Sequence, residues 1–129
     1  MPRLLVAALL LAALAAPARA QRPTRVRFAT SGAITAEDSV RVERALRAGL
    51  DSAGLQLLPP ADAAPGGPGA RYLVSAQAMG VGQGVLLSTR LIDVASQRVV
   101  AQGMTHGAGP ALADSAAALG RRLGMAAAR

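Results

Sequence analysis

His106 is the only histidine in the chain and the one side chain able to act as a general base near neutral pH without tuning. Its company limits what it can do. A hydrolase needs a nucleophile beside such a base, yet no G-x-S-x-G elbow occurs, cysteine is absent, and the nearest hydroxyl in sequence is Thr105. One histidine and no cysteine also exclude multi-histidine and thiolate metal centres. The carboxylates that invite a catalytic reading are Glu37, Asp38 and Glu43. Glu37 precedes Arg41 by four residues and Glu43 precedes Arg47 by four, which pairs them on the solvated face of a helix, each pair worth about 0.2–0.5 kcal/mol. Nothing apolar surrounds them to raise a carboxyl pKa toward a catalytic value. The glycine run GVGQG (80–84) would cradle a phosphate only if a helix followed it, but the text that follows, VLLSTRLID, is that of a strand. Its glycines therefore serve a tight turn. The expectation is a chain with no catalytic, cofactor-binding or metal-binding residues, and His106 is expected at a strand end facing solvent. A hydrolase that depends on His106 or a serine is kept only as a third alternative.

The elements that would carry these residues begin after residue 20. MPRLLVAALLLAALAAPARA has a basic start at Arg3, a short apolar run and a small-x-small end at Ala18-Arg19-Ala20, the layout of a cleavable signal peptide. Retention as an uncleaved anchor is the alternative. Of 129 residues, 21–129 then form a single domain large enough for one modest core. Export predicts a periplasmic or secreted protein, and the missing cysteine removes both a disulfide framework and the attachment point of a lipid anchor. Losing Arg3 and Arg19 with the signal lowers the formal charge from +7 to +5, and every basic residue is arginine. That balance reflects either compositional bias or an anionic partner such as an acidic protein, glycan or lipid headgroup. Nucleic acid is excluded as a partner by export and by an aromatic content limited to Phe28 and Tyr72.

Within the mature chain, residues 25–30 alternate as a first strand. Thr35 and Asp38 then open a helix whose apolar face is Val42, Ala45, Leu46, Gly49, Leu50 and Ala53, with Gly54 closing it. Residues 55–58 form a short strand. A Pro/Gly-rich segment at 59–70 is expected to be a flexible loop. Residues 71–79, 85–93 and 98–104 follow as antiparallel strands, and Gly109-Pro110 opens a last helix with a buried stripe of Leu112, Ala116, Leu119, Leu123 and Ala126. The order β-α-β-β-β-β-α predicts an α+β fold: one mixed, mostly antiparallel sheet of about five strands, with two helices on one face and the first two strands parallel.

A loop at 94–97 places Asp93 opposite Arg98, Leu91 opposite Val100 and Thr89 opposite Gln102. A turn centred on Val81-Gly82 places Tyr72 opposite Leu91, Val74 opposite Thr89 and Ala76 opposite Leu87. One face then carries Tyr72, Val74, Ala76, Ala78, Val85, Leu87, Leu91, Val100 and Met104 and is buried by the helices. The other carries Leu73, Ser75, Gln77, Leu86, Ser88, Arg90, Ile92, Val99 and Ala101. Its half-apolar centre, Ser75, Leu86, Ser88, Arg90 and Ile92, is the candidate binding surface, against the plainer reading of a solvated sheet face.

The run RYLVSAQAMGVGQGVLLSTRLIDVASQRVVAQG, preceded by an amphipathic helix and a short apolar strand, resembles the TolB amino-terminal-like domains and the LpoB-type activators of peptidoglycan synthases. Leu91, Ile92, Asp93 and Ser96 match the family's pattern residue by residue. Gln97 stands where the family has a turn glycine, the aromatic after the start of the last strand is missing, and so is the lipoprotein cysteine. The resemblance implies a non-enzymatic module that acts by binding other envelope proteins. The expected partner is an envelope protein, met by the uncovered sheet face or an edge strand. The alternative is a small module for an anionic glycan or lipid.

Overall fold

The computed structural model describes residues 22–59 and 69–128. The expected signal peptide and most of the 59–70 loop lie outside the described residues. The described chain runs β1 (Pro23–Gly32), α1 (Ala36–Ser52), β2 (Gln56–Leu57), β3 (Tyr72–Val81), β4 (Gly84–Asp93), β5 (Arg98–Gly107) and α2 (Pro110–Ala127). The sheet order is β2-β1-β3-β4-β5, with β1 parallel to both β2 and β3 and the two hairpins antiparallel. The α+β architecture and the parallel pairing of the first two strands are as the sequence predicts.

Local chemistry accounts for the element ends. The Thr35 hydroxyl accepts the Asp38 backbone N–H at 3.1 Å, supplying one of the partners that the first turn of α1 lacks. Gly54, just past the helix, takes φ +99°, a conformation that a Cβ would strain. In α2 the first turn begins with Pro110, whose missing N–H is no loss there.

Both helices pack on one face of the sheet. The core joins Val42, Leu46 and Leu50 of α1 and Leu112, Ala116, Leu119 and Leu123 of α2 to Val74, Ala76, Ala78, Val85, Leu87 and Leu91. Burial of one such leucine stabilises the fold by about 1.5–3 kcal/mol. Tyr72 extends across the core end, and its hydroxyl donates to the Ala127 carbonyl at 3.4 Å, tying the end of α2 to β3.

The two helices run parallel and touch backbone to backbone. Gly49 lies against Ala117 and Arg121, Gly120 against Leu46 and Leu50, and Gly124 against Ala53. A Cβ at Gly120 would stand 2.5 Å from the Leu46 carbonyl oxygen. Glycine on β5 likewise admits α2 to the sheet: Gly103 faces Leu119 and Gly107 faces Leu112.

Two register expectations need correction. The first hairpin turns at Gly82-Gln83, with Gly82 at φ +60°, so Tyr72 pairs with Asp93, Val74 with Leu91 and Ala76 with Thr89. The shift is by two residues, which preserves the face of every side chain. In the second hairpin Asp93 pairs with Arg98 and Ile92 with Val99, but Leu91 pairs with Ala101, leaving Val100 as a β-bulge. The extra residue exchanges the faces of β5 beyond it. Ala101 packs against the core, whereas Val100 and Met104, expected inside, are 43% and 62% exposed. Ala126, expected in the α2 stripe, is only half-buried, and Ala127 is buried in its place.

Candidate binding face

The sheet face opposite the helices is built by the odd-numbered residues of β1 and β3, the even-numbered residues of β4, and Val99, Gln102, Met104 and His106 of β5. Its side chains fall into rows that cross the strands. The first row is Arg25, Leu73, Ile92 and Val99; the second is Arg27, Ser75, Arg90 and Gln102. The third is Ala29, Gln77, Ser88 and Met104; the fourth is Ser31, Met79, Leu86 and His106. Ser75, Leu86, Ser88, Arg90 and Ile92 therefore share one face, with Ser75 and Arg90 directly opposite across β3 and β4. No described element covers it.

The face is zoned. Leu73 and Ile92 are half-buried beside a Val99 that is 50% exposed, and the fourth row sets half-buried Leu86 beside Met79. Between these apolar rows lie the polar second and third. Ser88, Thr89, Arg90, Gln102, Gly103 and Met104 line a shallow depression of about 330 Å³. Gln77 donates through Nε2 to the Ser31 hydroxyl at 3.2 Å, steadying the polar band toward β1.

Charge on this face has one sign. Arg27 and Arg90 are exposed on it, and the described acids belong to other surfaces: Glu37, Asp38, Glu43 and Asp51 on α1, Asp114 on α2, and Asp93 in a turn on the covered side. Of these, Glu43 comes nearest, lining with Arg25 and Arg27 a cavity of about 340 Å³ at the β1 edge. Within α1, Arg41 pairs with Glu37 at 2.9 Å and with Asp38 at 3.6 Å, and Arg47 pairs with Glu43 at 3.6 Å. The pairs with Glu37 and Glu43 are those that the spacing predicts; the contact with Asp38 is an addition. Arg25 and Arg27 were not assigned to the open face from sequence, although the alternation of Val26 and Phe28 toward the core requires their neighbours to point the other way.

Elsewhere the geometry offers less chemistry. A groove of about 660 Å³ on the helical layer is lined mainly by alanines with Val40, and its Glu37 and Arg41 already pair with each other. The His106 ring stands over Gly84 and forms no hydrogen bond among the described residues. It lies within β5, which extends past the expected strand end. No group of three His, Cys, Asp or Glu able to hold a metal occurs among the described residues. Asp93 accepts the Ser96 backbone N–H at 3.0 Å, and this bond, aided by the charge of Arg71, holds its carboxyl below the ordinary value. Asp93 is thus a turn residue, and it forms no ion pair with Arg98. No helix of the described residues is long and apolar enough to cross a membrane.

No family model matches the chain, and no curated protein matches it. Solved structures do. The PelC dodecamer from Paraburkholderia phytofirmans superposes with a TM-score of 0.53 at 22% identity, over 81% of this chain and 85% of that one. Lipoprotein GNA1162 from Neisseria meningitidis gives 0.54 at 12% identity, over 68% and 81%. The LpoB C-terminal domain from Salmonella enterica gives 0.51 at 16% identity, over 68% and 83%. What the chain shares with these proteins is the fold, and that fold is the LpoB-type α+β domain that the strand and turn text of residues 71–103 resembles.

Proposed function

We propose that the chain is an exported, non-enzymatic protein-interaction module of the bacterial cell envelope, which binds a partner protein through its open sheet face or an edge strand. The observation that carries this reading is the open face itself, where apolar rows flank a cationic, hydroxyl-rich band and no described element covers them. Contiguous apolar surface beside polar groups is one mark of an interaction site. The fold supports the same reading, because two of the compared proteins are a lipoprotein and a domain of LpoB. A cleaved signal peptide at 1–20 would deliver the mature domain to the periplasm or beyond.

The two edges of the described sheet differ. β2 pairs with β1 only at Pro23 and Thr24, and the rest of that edge carries Arg27. The β5 edge has a charged residue only at its start, Arg98, and exposes Val99, Val100 and Met104. Charged residues discourage strand addition, so β5 is the edge open to it.

The test is capture of the partner by the mature chain and by a variant carrying Leu86→Glu with Arg90→Glu. Loss of capture with an unchanged circular dichroism spectrum is expected, and unchanged capture would remove the face from consideration. An anionic glycan or lipid as ligand would instead show binding that weakens steeply with salt and depends on several arginines.

A further inference from the structure

Any occupant that covers the apolar rows of the open face must also cover Arg27 and Arg90. Neither arginine pairs with a carboxylate among the described residues, and none of the described acids lies on the face. Covering a guanidinium without supplying an anion is strongly unfavourable. Arg90 has hydrogen-bonding neighbours suited to an anion: Ser75 and Gln102 are its cross-strand partners, and Ser88 lies two residues away. Building on the protein-interaction reading above, we propose that the open face receives an acidic amphipathic helix of a partner protein. Its carboxylate sits over Ser75 between Arg27 and Arg90, and its apolar residues rest on the Leu73-Ile92-Val99 and Met79-Leu86 rows.

The shape of the occupant follows from the position of the arginines. A strand adds at the β5 edge, where Arg27, three strands inward, lies about 14 Å away. Arg27 and Arg90 are met together only by something that lies on the face. Successive rows are about 6.7 Å apart along the strands, and residues four apart on a helix rise about 6 Å. A helix lying along the strands therefore reaches the apolar first row and the cationic second row from residues one turn apart. A second copy of this chain is a poorer match than a separate acidic helix: the four carboxylates of α1 share it with Arg41, Arg44 and Arg47, and α2 sets Arg121 and Arg122 against Asp114.

The experiment is a selection from a displayed library of helical peptides of about 18 residues, long enough to cross the four rows. The bait is the mature chain, with counter-selection on a folded Arg27→Gln, Arg90→Gln variant. The expected winners carry Asp or Glu one turn from Leu, Ile or Phe. Measured by fluorescence anisotropy as synthetic peptides, they bind at least tenfold more weakly when either the two arginines or the peptide carboxylate is neutralised, with little further loss when both are. Winners without a carboxylate, winners indifferent to both arginines, or no winners would overturn the proposal. Arginine-dependent binding to phosphatidylglycerol vesicles without peptide binders would overturn it in favour of a lipid surface. Peptides that lose binding on Val100→Lys but not on neutralisation of the arginines would overturn the helix in favour of strand addition, and would leave the protein-interaction reading standing.

Discussion

Arg27 of β1 and Arg90 of β4 stand in one row of the open sheet face, on either side of Ser75. At the spacing of strands in a sheet their backbones are about 10 Å apart, close enough for one bound group to lie between them and far enough for both to remain solvated when nothing does. Reversing either charge, Arg27→Glu or Arg90→Glu, should weaken partner binding at least tenfold. Because both side chains are exposed and make no ion pair among the described residues, the same changes should move stability by no more than about 0.5 kcal/mol in urea denaturation.

Gly120→Ala tests the helix contact through the sign of its effect. At an exposed helical site the change would stabilise by about 1 kcal/mol. Here the new methyl group would press on the Leu46 carbonyl and the Leu50 amide, both backbone atoms with little room to give. Destabilisation by about 1–3 kcal/mol is expected, measured by chemical denaturation. A gain in stability would show that the helices are not in backbone contact.

Gln97 takes φ +60° in the β4–β5 turn, a region that strains a side chain by about 1–2 kcal/mol. Its amide donates to the Val94 carbonyl at 2.9 Å, an exposed bond that offsets only part of that strain. Gln97→Gly should therefore raise the melting temperature slightly, and Gln97→Val should lower it.

Acid should loosen the same turn. The Ser96 N–H holds the Asp93 carboxyl below its ordinary value, so the group is more acidic folded than unfolded. Its contribution to stability is complete above the unfolded carboxylate pKa and is lost as pH falls through the folded value. An NMR titration of the Asp93 carboxyl should show a midpoint below 3.8, and Asp93→Asn should flatten this part of the stability profile.

Most of the elements were legible because their signals are local. Thr35 with Asp38 marked the start of α1, and alternation about Val74 and Leu87 marked the covered side of β3 and β4. What was not legible depends on geometry that short-range pattern does not encode. Val99, Val100 and Ala101 are apolar in succession, so the run fits the sheet in either phase, and only the bulge at Val100 decides which side Ala101 and Met104 take. Choosing Val81-Gly82 over Gly82-Gln83 as the turn moved the register by two and left every face assignment intact. Gly120 and Gly124 lie outside the α2 stripe read from sequence, although they are points where α2 meets α1. The five residues put forward from sequence for binding do share the open face, and the register adds Arg27, from a strand whose place beside β3 the sequence did not disclose.

The central claim, that the open face is where a partner protein binds, is tested most directly by photo-crosslinking in the native host. A photoreactive residue is placed at Ser88 on the open face and, as the control, at Val40 on the outer surface of α1, which is 56% exposed. The account predicts a discrete protein adduct from position 88 that disappears with Arg90→Glu, and none from position 40. Adducts from position 40 alone, or equal adducts from both positions, would contradict it.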